Sequence, residues 1–122
     1  MITFDYNNDL QILEVQYIGE IHLKDMMDYG EMIRNSEVLP RNLKILTDAT
    51  KAEYKFTVAE LKIVLQAMEE QIKPYNSVKT AVIQQKPRET AISFLVDGNE
   101  PIQNYQHKVF STRKAALHWL LL

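Results

Sequence analysis

The chain contains no cysteine. Disulfides, thiolate nucleophiles and thiolate metal sites are therefore excluded, and the composition suits a reducing cytoplasm. A basic surplus is missing as well: 14 Lys and Arg stand against 16 Asp and Glu, for a net charge of −2. Nucleic-acid surfaces need clustered positive charge, so no nucleic acid is expected as a partner. Long apolar runs are absent. The longest, "WLLL" at 119–122, falls far short of the ~20 residues a membrane span needs, so no membrane span is expected. The opening "MITFDYNNDL" has neither the basic start nor the apolar stretch of a secretory signal. These absences predict a cytoplasmic protein.

What is present is ordinary for a folded chain. Hydrophobic residues make up 46% of the 122 positions and charged residues 25%, close to globular averages. One domain over 1–122 is expected, with roughly two thirds of the unfolded surface buried.

The pattern along the chain alternates strands and helices. "ITFDY" places Ile2, Phe4 and Tyr6 on one face of a strand, and "NND" at 7–9 is turn chemistry. "LQILEVQYIGE" follows as its hairpin partner, with Leu13, Val15 and Tyr17 on one face. Leu23, Met26, Met27, Gly30 and Ile33 form a helical stripe, with Gly30 read as a close contact to the sheet. "LKILTD" is a third strand ending at Asp48, and residues 49–56 read as an exposed connection. Thr57 and Glu60 then form a capping box for a helix over 57–73, closed by Pro74. "VKTAVIQQ" is apolar on both faces, as a central parallel strand requires. Pro87 suits the first turn of another helix, with Gly98 just past its end. "HKVF" is a last short strand, and Ser111 or Thr112 caps "RKAALHWLLL". The order ββαβαβαβα predicts an α/β fold with a mostly parallel sheet flanked by helices.

That order, with "YIGEIHLKDM", "LKILTDA" and "VFSTRKAALHWL", resembles the STAS fold of anti-sigma-factor antagonists and, within it, the SpoIIAA-like proteins of bacteria. The resemblance implies a small non-enzymatic signalling module working by protein–protein contact, with a protein partner. In partner-switching members a hydroxyl after the third strand is phosphorylated. The matching segment here reads Asp48-Ala49-Thr50-Lys51, with neither an Asp-Ser pair nor a glycine, and Thr50 is the nearest acceptor. The STAS fold also resembles lipid-transfer domains of the Sec14 type, which implies a second reading: a small-ligand module for a lipid or nucleotide. Met26, Met27, Met32 and Met68 would then border an adaptable apolar groove rather than fill a core.

Ligands on open α/β sheets gather at the carboxyl ends of strands. That rule assembles a candidate partner or ligand edge from Asp48, Lys51, Tyr54, Thr57 and Ser111, close to Gly19-Glu20 and Gln84-Gln85. Lys51 and Lys55 flank Tyr54 and Phe56, a basic–aromatic interleaving able to grip an acidic group. His22, His107 and His118 lack metal-ligand spacing, and no metal or other cofactor is expected. Ser111, His107 and Asp48 could be imagined as a triad, but no G-x-S-x-G accompanies them, and catalytic residues are not expected. The C-terminal helix is apolar nearly all round. Ala116, Trp119 and Leu120 suit a sheet contact, which leaves Leu117, Leu121 and Leu122 for a second copy in a homodimer. Three observations discriminate the readings. A partner module shows an exposed patch near 48–57, a ligand binder a cavity between helix and sheet, and an enzyme convergent titratable groups.

Overall fold

A computed structural model describes residues 1–97 and 103–122. Nine elements run in the expected order: β1 Ile2–Asn7, β2 Ile12–Ile21, α1 Leu23–Asn35, β3 Asn42–Tyr54, α2 Val58–Gln71, β4 Ser77–Ile83, α3 Pro87–Asp97, β5 Tyr105–Phe110 and α4 Arg113–Leu120. The sheet is ordered β1-β2-β3-β4-β5. β1 is antiparallel to β2, and every later pair is parallel. The α/β, mixed, mostly parallel architecture is thus as read from the sequence. Gly98, expected just past α3, lies outside the described residues.

Neighbouring strand residues point to opposite faces, and the two faces bury different cores. Leu13, Val15, Leu43, Ile45, Val78 and Val82 lie in one cluster with Ile33 of α1, Leu61 of α2 and Ile92 of α3. Ile12, Leu46, Ala81 and Ile83 lie in the other with Ala116 and Leu120 of α4. Three helices therefore cover one face, and a single two-turn helix covers the other.

The stretch 49–56 differs from its expectation. It is not an exposed connection: β3 runs on to Tyr54, and Asp48 sits in mid-strand. Ala49, Ala52, Tyr54 and Phe56 are all buried. The cause is a β-bulge. Gln16 pairs with Asp48, but Ile18 pairs with Lys51, so β3 carries one extra residue. Before it, odd positions (Leu43, Ile45, Ala49) face the helices; beyond it, even positions (Ala52, Tyr54, Phe56) do. The period-2 pattern breaks at that point, and a broken period reads as a loop. Asp48 holds the bulge, its Oδ1 accepting from Thr50 N–H at 3.0 Å and Thr50 Oγ1 at 2.7 Å. Across the bulge on β2, Gly19 has φ +73°, which a side chain would strain.

β4 ends at Ile83, so the far half of β3 has no strand on that side. Side chains from the next loop and the start of α3 replace it. Gln84 Nε2 donates to Ala49 O (2.6 Å), Lys86 Nζ to Ala52 O (2.8 Å) and Arg88 Nη1 to Tyr54 O (2.9 Å). Backbone groups that would cost free energy unpaired are satisfied this way. Glu89, 5% exposed, joins them by accepting from Tyr54 N–H and pairing with Arg88.

The caps follow the sequence. Thr57 Oγ1 accepts from Glu60 N–H at 3.1 Å, and Glu60 returns the bond to Thr57 N–H at 2.9 Å. Of the two α4 cap candidates, Thr112 takes the role, accepting from Ala115 N–H at 3.2 Å. Gly30 makes a different contact from the one expected. A Cβ there would overlap the Gln71 side chain, so its absence lets α2, not the sheet, approach α1.

Candidate functional site: a tyrosine-walled cavity

The residues proposed from the sequence do not converge. Asp48 and Thr50 bond each other at the bulge. Lys51 is exposed, while Tyr54 is 5% exposed and stacks on Phe56 at 5.2 Å. The basic–aromatic interleaving is thereby split, rings inward and lysines outward, with Lys55 paired to Glu53 at 2.7 Å. Thr57 is a cap. Ser111 is exposed, and its backbone carbonyl accepts from Gln85 Nε2 at 2.9 Å. The Thr50 hydroxyl is half-buried and already donates to Asp48. Phosphorylation there would remove that bond.

A different group of side chains does converge, on the three-helix face. Between α1, α2, α3 and the sheet lies a cavity of about 130 Å³. Its floor is the inward positions of the strands: Tyr17 of β2, Ile45 and Thr47 of β3, Val78, Thr80 and Val82 of β4, Tyr105 and His107 of β5. Its roof includes Met26 and Tyr29 of α1, Leu65 and Met68 of α2, and Ile92 of α3. Tyr54 and Phe56 close one side, brought there by the bulge. Alternation in the parallel strands aims Thr47, Thr80 and His107 into the space. The helical period aims Tyr29, which lies three residues from Met26 and four from Ile33.

Tyrosine dominates the polar part of the wall. Tyr17 meets Tyr29 edge-on at 6.1 Å between ring centres, and Tyr54 at 6.5 Å. Among the described residues, the hydroxyls of Tyr17, Tyr29, Thr47 and Thr80 have no protein hydrogen-bond partner. Burial, first, and the neighbouring phenols then push the hydroxyl pKa values of Tyr17 and Tyr29 well above their ordinary value. Both remain protonated donors. Burial likewise raises Tyr54, with Ser93 and Gln84 acting against it. Among the described residues the wall holds no aspartate, glutamate, lysine or arginine. It can hold and orient a neutral molecule, and it offers no paired carboxylates for acid–base work.

Sequence reading missed Tyr29, Tyr105 and the inward role of His107. For Tyr29 a signal existed, its spacing to Met26 and Ile33. Tyr105 begins β5 two residues earlier than the "HKVF" strand, so its alternation with His107 fell outside the assigned element.

The class these features define is an α/β domain of SpoIIAA-like fold. The chain is similar in structure to an uncharacterised protein of the DUF3478 family with a SpoIIAA-like fold from Shewanella loihica PV-4. The TM-score is 0.64 at 16% identity, over 98% of this chain and 92% of that one. No known family's sequence pattern matches the chain, and no curated protein matches it. Among the described residues no helix is long and apolar enough to cross a membrane, and no group of His, Cys, Asp and Glu could hold a metal.

Proposed function

We propose that this chain is a non-enzymatic, single-domain binding protein of the cytoplasm that takes a small apolar ligand into the cavity above its sheet. One observation carries the reading. A partly open space of about 130 Å³ lies between the helices and the sheet and is bordered by hydroxyls without a protein partner. Protein interiors are normally close-packed, and buried polar groups are normally bonded. Close packing fails at this place, and the hydroxyls that border it have no protein partner, so a ligand with an apolar body and a polar atom would fill the space and meet them. The signalling-module reading, with a protein partner, has weaker support: the aromatic residues of 48–57 that would form its patch are buried.

Toluene is a suitable probe. Its titration, followed by the methyl signals of Met26 and Met68, should shift those two and spare Met1. Unmoved Met26 and Met68 methyls up to the solubility of toluene would overturn the reading.

A second reading concerns assembly. Ala116 and Leu120 are fully buried on the sheet, but Leu121 is 41% and Leu122 79% exposed. They border a shallow groove with Phe110, Leu117 and Trp119. We infer that a second copy covers this strip in a homodimer, burying roughly 1.5–3 kcal/mol per leucine before association costs. Sedimentation at micromolar concentration tests it: dissociation by Leu121→Glu supports the dimer, and a monomer unaffected by that change rules it out.

A further inference from the structure

We propose that the ligand is a single neutral aromatic ring carrying one hydrogen-bond-accepting oxygen, such as an aryl ketone, with the oxygen accepting from the hydroxyl of Tyr17 or Tyr29. This inference rests on the ligand-binding reading above and names its chemistry.

Size comes first. An apolar cavity of about 150 Å³ in another protein stays dry and takes up benzene, and the cavity here measures about 130 Å³. One ring fills it. A lipid-length acyl chain holds far more carbon than one ring and does not fit. Shape agrees, because Tyr17, Tyr29 and Tyr54 meet edge-on, and a further ring extends that arrangement.

Polarity comes second. Tyr17 is 7% exposed, and its hydroxyl has no protein acceptor among the described residues. The Tyr29 hydroxyl lacks one as well. Both hydroxyls border the cavity without a protein partner, so a ligand oxygen would gain a hydrogen bond there without displacing one. Both phenols stay protonated because burial raises their pKa values, so they offer donors rather than anions.

Charge comes third. Among the described residues the wall contains neither lysine nor arginine, and its one basic side chain is the His107 imidazole. A carboxylate would enter low-dielectric surroundings without a fixed positive partner, which is strongly disfavoured. Neutrality of the ligand follows.

The test compares three probes of one size by calorimetry: acetophenone, α-methylstyrene, which replaces the oxygen by CH₂, and benzoate. Acetophenone should bind about tenfold more tightly than α-methylstyrene, the value of one buried hydrogen bond, and benzoate most weakly. Tyr17→Phe or Tyr29→Phe should cut the acetophenone advantage to below about threefold. The affinity for α-methylstyrene should hold in both variants, which shows an intact cavity. Equal binding of acetophenone and α-methylstyrene, or tightest binding of benzoate, would overturn this inference and leave the ligand-binding reading standing. An acetophenone preference untouched in both variants would remove the tyrosines from the role. Failure of all three probes where toluene binds also overturns the inference, whereas failure of toluene removes the reading beneath it.

Discussion

The two faces of the sheet are built to different rules. On the α4 face, Ile12, Leu46, Ala81, Ile83, Ala116 and Leu120 are all aliphatic and at most 4% exposed. Lys79, a charged group on that face, is used at once: its Nζ donates to Trp119 O at 2.6 Å and lies 4.4 Å above the Trp119 ring, satisfying the last turn of α4. On the three-helix face the side chains are larger, tyrosines gather, hydroxyls lack partners, and space is left over. The small face spends its residues on close contact. The large face leaves a void bordered by hydroxyls without a protein partner, a departure from close packing that the proposed binding function would explain.

Four experiments sharpen or break that contrast, taken from the largest expected effect. Leu120→Ala should cost about 2–5 kcal/mol, read from the urea midpoint, because a fully buried leucine on the filled face leaves a cavity that cannot collapse. A loss below ~1 kcal/mol would mean that α4 adjusts freely and the face is not tight.

Overpacking gives the next contrast. Ala81 is fully buried beneath α4, so Ala81→Leu should cost about 1–3 kcal/mol. Val64 lines the cavity, and Val64→Leu adds its extra methylene to empty space. That variant should be neutral, or stabilised by up to ~0.8 kcal/mol. Equal losses at the two positions would show that the cavity has no room.

Helix caps come third. Thr57 and Thr112 cap α2 and α4 on opposite faces, and each replacement by alanine should cost ~1 kcal/mol. An unchanged midpoint for Thr57→Ala would count against its capping box.

The smallest effect is a pH dependence at the α4 end. Glu14 Oε1 pairs with Arg113 at 2.7 Å, and Glu14 Oε2 accepts from Asn7 Nδ2 at 2.9 Å. The Arg113 bond, then that of Asn7, lowers the Glu14 pKa below its ordinary value. A depressed carboxyl stabilises the fold above its unfolded pKa and loses that contribution as pH falls through the lowered value. Glu14→Gln should therefore cost ~0.5–1 kcal/mol at neutral pH, in a partly solvated pair. Its gap to the parent should close below about pH 4. A gap that stays constant to acid pH would assign the loss to shape rather than charge.

Element order was legible because its signals are local. Alternation in "ITFDY", the stripe from Leu61 to Ile72, and the Thr57–Glu60 box each depend on residues within a few positions of one another. The span 49–56 was not legible. A bulge reverses the parity of burial, and its pairing depends on β2, some thirty residues upstream. The side chains of Gln84, Lys86 and Arg88 that bond the far half of β3 come from about as far downstream. Burial of Tyr54 and Phe56 beside charged neighbours was hidden for the same reason.

The amino-acid sequence alone determined the α/β class, the ββαβαβαβα order, the Thr57 cap and the lack of thiol chemistry, since period, capping and composition act over a few residues. Only the tertiary structure decided where chemistry gathers. Tyr17, Tyr29, Tyr54 and Tyr105 lie on four elements, and no spacing along the chain links them. They meet because parallel pairing and one bulge turn them toward the same space, and because the helices above leave that space unfilled.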